Sequence, residues 1–163
     1  KTLLKIYFTK RGDKDKMLTQ AEVDLLLNML KSLVDTGKLD FPRSGTSKEL
    51  EVISLDGKEK FLIDINRKGR IKLSKCTYQK RYRKYEVLLR LDIDGPAHTN
   101  PDGQEISGHH LHIYKEGYET KWAYPLPNQF TDPSDLIKTL IEFLQYCKVT
   151  NLNQLSIQGG IFP

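Results

Sequence analysis

Between Leu50 and Ile93 the chain repeatedly alternates apolar and polar residues. Its first two alternating runs, Leu50–Leu55 and Phe61–Asn66, flank an Asp56-Gly57 pair. A period of two sends successive side chains to opposite faces of an extended strand. Asp-Gly suits the positive backbone angles of a tight hairpin. The combination commits this part of the chain to antiparallel sheet. Ile71 and Leu73 continue the alternation, and Tyr85–Ile93 and His109–Tyr114 read as further strands. A long connection containing Gly95, Pro96, Pro101 and Gly103 joins the last two.

Two segments carry helical spacing instead. Thr19 and Glu22 form a capping box, after which Val23, Leu26, Leu27, Leu30, Leu33 and Val34 predict an amphipathic helix over residues 20–35. A loop with Gly37, Pro42 and Gly45 follows over residues 36–48. Near the other end, Asp132 as cap and Pro133 at the first position predict a second helix, with Leu136, Leu140, Phe143 and Leu144 on its apolar face. The expected fold is α+β: a mostly antiparallel sheet of about five strands flanked by an N-terminal and a C-terminal helix. The composition changes at Met17, so residues 1–16 read as an extension or short strand and residues 17–163 as one α+β domain.

The charge is concentrated in one place. Residues 67–84 hold nine Lys or Arg and no acid, while the whole chain carries 26 basic and 21 acidic residues for a net +5. The remainder of the chain is therefore acidic on balance. A local positive field of this kind calls for an anionic partner, nucleic acid first. Within it Lys72, Lys75, Gln79, Lys80, Arg81, Tyr82 and Arg83 are the expected contacts, the cations to phosphates and Tyr82 to a base. A solvated basic surface is the plain alternative. No apolar run is long enough to span a bilayer, so no membrane partner is expected. Two cysteines, Cys76 and Cys147, give no disulfide framework, which fits a reducing, cytoplasmic setting.

All four histidines fall just after the basic segment, at positions 98, 109, 110 and 112. Strand alternation puts Arg90 and Asp92 on one face of their strand and His110 and His112 on one face of theirs. Paired strands would gather these four, with the loop bearing His98 and Asn100 closing over the end. His109 points the other way and reads as structural. Three chemistries fit. In the first, RNA is cleaved without metal by His110 and His112 as acid and base, assisted by His98, with Arg90 and Lys75 on the phosphate and Asp92 orienting an imidazole. In the second, a divalent metal is bound by His98, His110 and His112 with Asp92 nearby. In the third, the surface only binds nucleic acid or a protein.

The run Arg90-Leu-Asp-Ile-Asp-Gly-Pro-Ala-His98-Thr-Asn100, followed by His110-Leu-His112-Ile-Tyr114, resembles a family of uncharacterised bacterial and phage proteins over residues 17–150. The layout is more weakly similar to the TumE-like toxins of toxin–antitoxin systems, although Asp92-Ile-Asp94-Gly95 stands where those toxins tend to have Asp-Asn. The resemblance implies a small endoribonuclease in a phage or mobile-element context and an antitoxin as protein partner.

Overall fold

The computed structural model describes residues 17–69 and 72–159. The short strand expected in residues 1–16 and the alternation at Ile71 lie outside the described residues. Helix α1 (Gln20–Asn28) is followed by strands β1 (Lys31–Leu33), β2 (Gly37–Asp40), β3 (Ser47–Ser54), β4 (Lys60–Asn66), β5 (Cys76–Tyr82) and β6 (Glu86–Ile93). Then come β7 (His98–Thr99), β8 (Glu105–Ile106), β9 (His110–Ile113), β10 (Ala123–Pro125), helix α2 (Leu136–Tyr146) and β11 (Leu155–Gln158).

Seven of these strands form one antiparallel sheet in the order β1-β3-β4-β5-β6-β9-β10. Two short ladders accompany it: β11 with β2 in parallel, and the β7–β8 hairpin. This overturns the expectation of an α+β fold with about five strands. The protein is predominantly β, and its helices span only 9 and 11 residues.

The reasons for the difference are local. The capping box at Thr19 and Glu22 forms as expected, but α1 stops at Asn28. Lys31, Ser32 and Leu33 pair with Ser54, Ile53 and Val52 on the sheet edge. Leu33 is buried by that pairing, while Leu30 and Val34, counted as helix-face residues, are exposed. Sheet pairing thus overrides helical spacing. The expected loop over 36–48 contains β2, whose parallel partner β11 lies more than a hundred residues away and leaves no local signal. Asp132 caps a turn through Ser134, and the helix cap is Asp135, which accepts the amide of Lys138. Leu73 is exposed in a turn, and the missed strand β5 follows it.

Both helices cover the same face of the sheet. Val52, Phe61, Ile63, Ile65, Tyr78, Leu89, Leu91 and Leu111 join Leu26, Leu140, Phe143 and Leu144 in one core. Tyr78 stacks at 5.8 Å on Phe143 and donates its hydroxyl to the Leu136 carbonyl at 2.6 Å. Two lysines share this core. Lys31 donates to the carbonyls of Leu27 (3.4 Å) and Met29 (2.5 Å), and Lys80 to that of Leu26 (3.1 Å). They satisfy the C-terminal carbonyls of α1, which has no basic residue in its last turn. Both amines lie 5.0 Å from the Phe61 ring centroid.

Burial pushes the Lys31 amine down to about 6, with Lys80 adding to the effect, and burial lowers Lys80 as well. The unfolded chain keeps these protons up to the ordinary lysine range. It therefore binds more protons than the folded state between about pH 6 and 10, and stability rises with pH across that window. Urea unfolding at pH 6.5 and 9 should show wild type gaining stability at the higher pH and Lys31→Met gaining distinctly less. Equal gains would show that Lys31 is folded with its proton.

Candidate functional site

The face of the sheet opposite the helices is polar, and strand register organises it into rows. One row runs Glu49, Asp64, Gln79, Arg90, His112 across β3, β4, β5, β6 and β9. The next runs Ser47, Asn66, Thr77, Asp92, His110. The juxtaposition of Arg90, Asp92, His110 and His112 expected from alternation is what the register produces. The bulge between Lys80 and Arg81 does not disturb it, because it lies beyond this end of β5 and β6.

Asp92 is the centre of the cluster. Its Oδ1 accepts the Thr77 hydroxyl at 2.8 Å, and its Oδ2 accepts Arg90 Nε at 3.0 Å. The Nε2 atoms of His112 and His110 stand 3.4 and 3.6 Å from the same Oδ2. Burial raises the Asp92 carboxyl, but the His112 imidazole when its Nε2 carries hydrogen, the Arg90 guanidinium and the Thr77 hydroxyl outweigh it and hold it at about 2.

Backbone carbonyls fix the imidazoles. A carbonyl only accepts, so the ring nitrogen facing it carries hydrogen. His110 Nδ1 donates to the Gly108 carbonyl and His112 Nδ1 to the Thr120 carbonyl, each at 2.8 Å. His98 Nε2 donates to the Lys121 carbonyl at 2.7 Å. Arg90 Nη2 then donates to His112 Nε2 at 2.8 Å. The three ring centroids lie 4.6 Å (His98–His112), 5.0 Å (His110–His112) and 6.1 Å (His98–His110) apart. His110 and His112 are buried, and burial lowers the His110 pKa below the ordinary imidazole value. His98 and Arg90 form the partly exposed rim.

Loops hold the cluster closed. Asn100 is buried and makes both of its amide bonds to one residue, donating to the Ala123 carbonyl (3.0 Å) and accepting the Ala123 amide (2.8 Å). This staples the β7–β8 hairpin to the edge strand β10. Gly95 passes close over the site: a Cβ there would lie 3.3 Å from Asp92 Cβ and 3.9 Å from His110 Cε1. His109 turns away, accepting the Asp94 amide at 3.1 Å, as its structural reading required.

The basic segment is less available than its composition implies. Strand β5 sends Cys76, Tyr78, Lys80 and Tyr82 into the core face. Lys80 is thus no phosphate contact but a buried cap on α1, and Tyr82 is no stacking platform, since it is buried with its hydroxyl on Glu59 at 2.5 Å. Arg81 is bound by Asp64 and Glu49, each at 2.6 Å. Gln79 donates to Asp64 at 3.2 Å, and Arg83 lies 4.8 Å over the Tyr82 ring. Lys72 is exposed and Lys75 partly so; they precede Cys76, which pairs with Ile93, so they lie at the cluster's end of the sheet. Arg81 and Arg83 sit at the opposite end. Thr77 and Asp64 belong to the polar face and were not singled out from sequence. The signal for Asp64 was the alternation of β4, and that for Thr77 the unrecognised alternation of β5.

Asp92, His110 and His112 each offer one ligand atom within 4.8 Å of the others. The donor set suits a divalent metal, and Nδ1–H bonds to carbonyls are the usual support for histidine ligands. Arg90 occupies that position with its own positive charge, bonded to both Asp92 and His112. Metal binding therefore requires Arg90 to swing outward. No described helix is long and apolar enough to cross a membrane.

These features define a sheet protein with a histidine–aspartate–arginine cluster, buried at His110 and His112, at one end of its polar face. Residues 18–149 match a family of unknown function, DUF6978, and the chain belongs to that family. No curated protein and no solved structure matches it. The match bears out membership of an uncharacterised family and shows no likeness to TumE-like toxins.

Asn100→Ala should cost about 1–3 kcal/mol of unfolding free energy, because it leaves two buried backbone groups of Ala123 unpaired. It should also raise hydrogen exchange in residues 98–106. Unchanged stability and exchange would show that the staple does not hold the hairpin.

Proposed function

We propose that this protein cleaves RNA without a metal, with His98 and His110 exchanging protons with the substrate and Arg90 holding the scissile phosphate. One observation carries the reading: of the three clustered imidazoles, these two each keep a ring nitrogen with no hydrogen-bond partner among the described residues. His98 commits Nε2 to the Lys121 carbonyl and leaves Nδ1; His110 commits Nδ1 to the Gly108 carbonyl and leaves Nε2. His112 has both nitrogens engaged. This reading moves His112 from the acid/base pair expected from sequence to a residue that positions Arg90.

RNA brings its own nucleophile. His110, whose pKa burial lowers, takes the 2′-hydroxyl proton as that oxygen attacks phosphorus. Protonated His98 gives its proton to the departing 5′-oxygen. A 2′,3′-cyclic phosphate and a free 5′-hydroxyl result. Arg90, anchored by Asp92, stabilises the charge that builds on the phosphoryl oxygens. Substrate reaches His110 when the loop Gly95–Ala97 moves aside. A toxin–antitoxin setting is part of this proposal, with an antitoxin as the protein that covers the rim. The second reading, a metal centre on Asp92, His110 and His112, is favoured by the carbonyl-fixed Nδ1–H groups and by the ligand spacing.

The test is cleavage of a mixed-sequence RNA by wild type, His98→Ala, His110→Ala and His112→Ala, each with and without EDTA. Wild-type cleavage should survive EDTA and leave cyclic phosphate ends. Loss of either proposed acid/base residue should slow it at least about 100-fold. Cleavage abolished by EDTA and restored by a divalent metal would move the histidines to metal ligands. RNA left intact by wild type would overturn the ribonuclease.

A further inference from the structure

Arg90 occupies lone pairs in the cluster that a metal ion would also use. It donates Nε to Asp92 Oδ2 at 3.0 Å and Nη2 to His112 Nε2 at 2.8 Å. Asp92, His112 and His110 are also the residues whose ligand atoms converge. His110 Nε2 carries no hydrogen, because the ring gives its hydrogen from Nδ1 to the Gly108 carbonyl. His112 Nε2 is likewise a lone pair, since Nδ1 is bonded to the Thr120 carbonyl.

The spacing of these atoms suits zinc. Zinc bonds imidazole nitrogen and carboxylate oxygen at about 2.0–2.2 Å with tetrahedral angles, which sets neighbouring ligand atoms about 3.3–3.6 Å apart. Asp92 Oδ2 stands 3.4 Å from His112 Nε2 and 3.6 Å from His110 Nε2. Two edges of the tetrahedron are therefore already built, and the three ligand atoms all lie within 4.8 Å of one another. Backbone carbonyls hold both imidazoles from behind, and Thr77 holds the other oxygen of Asp92 at 2.8 Å. Both histidines are buried, so little side-chain freedom is left to lose when an ion binds. Magnesium takes octahedral oxygen ligands, and two of these three donors are nitrogens.

We infer that the cluster is an inhibitory Zn²⁺ site: the ion takes Asp92, His110 and His112, displaces Arg90 and stops cleavage. The regulatory role rests on the RNA-cleaving reading. Zn²⁺ on His110 Nε2 occupies the lone pair that accepts the 2′-hydroxyl proton. It also takes from Arg90 the two acceptors that anchor the guanidinium where the phosphate binds. One ion thus removes the base and the phosphate holder together, so metal and productive substrate exclude each other. A catalytic metal centre on the same ligands behaves oppositely and gains activity with the ion.

Binding and cleavage are measured separately on the whole protein. Calorimetric titration of EDTA-treated, dialysed wild type with Zn²⁺ should show a single site, and excess Mg²⁺ should not compete for it. Long-range ¹⁵N–¹H spectra should show Nε2 of His110 and His112 shifted by the ion while their Nδ1–H groups persist. Arg90→Gln removes the competing cation and should bind Zn²⁺ at least about tenfold more tightly, the worth of one charge-assisted hydrogen bond. A gain of affinity at the same two imidazoles is not what damage to the fold produces. His98→Ala should bind Zn²⁺ as wild type does and lose cleavage. RNA cleavage by wild type should fall at least about 100-fold at saturating Zn²⁺ and return with EDTA. No binding, equal binding of Mg²⁺, shifts confined to other residues, or unchanged affinity in Arg90→Gln would overturn the site as drawn. Cleavage that saturating Zn²⁺ leaves unchanged would overturn the inhibition while leaving the metal-free ribonuclease standing. Zn²⁺ bound as expected by a protein that cleaves no RNA would overturn the ribonuclease and the inhibition with it, and keep the metal site.

Discussion

The carboxylate of Asp92 ties together the strands that make the site. It accepts from Thr77 on β5 and Arg90 on β6, and it faces His110 and His112 on β9. A buried carboxylate survives only when such partners outweigh the loss of water. Here the Arg90 and Thr77 donors face it directly and favour its charged form. Everything at this end of the sheet follows from that balance. Arg90 is anchored by it and reaches His112, and the two buried imidazoles turn their Nε2 edges toward it while backbone carbonyls hold the other edges.

The same sheet handles charge differently on its two faces. On the helix side Lys31 and Lys80 are buried and complete α1 by binding its last carbonyls. On the open side Arg81 neutralises Glu49 and Asp64. Of the basic segment that dominates the sequence, much is thus spent inside the fold. Of what remains, Lys72 and Lys75 lie in the loop before β5, beside the cluster, while Arg83 and Lys84 lie at the opposite end of the strand.

The parts of this arrangement that were legible in the sequence are those with a short period. Alternation in β3, β4, β6 and β9 was readable, and it placed Arg90, Asp92, His110 and His112 on one surface without any knowledge of the register. The capping box of α1 was equally local. What escaped notice depends on distant partners. The parallel pairing of β2 with β11 joins segments over a hundred residues apart, and β1 becomes a strand only because β3 offers it an edge. Strand β5 was hidden by its own charge. Cys76, Tyr78, Lys80 and Tyr82 alternate as a core strand should, but a lysine in that row reads as surface until its amine finds the end of a helix. The reassignment of His112 likewise needed the Thr120 carbonyl and the Arg90 guanidinium on its two ring nitrogens, which no spacing rule supplies.

Carbonyl bonds put hydrogen on Nδ1 of His110 and His112 and on Nε2 of His98. That leaves His110 Nε2 and His98 Nδ1 as the nitrogens free for the proposed proton transfers. Long-range ¹⁵N–¹H correlation spectra of the imidazoles at pH 8, recorded with EDTA, read each tautomer directly. The expected result is the Nδ1–H form for His110 and His112 and the Nε2–H form for His98. An Nε2–H tautomer at His110, or an Nδ1–H tautomer at His98, would contradict it.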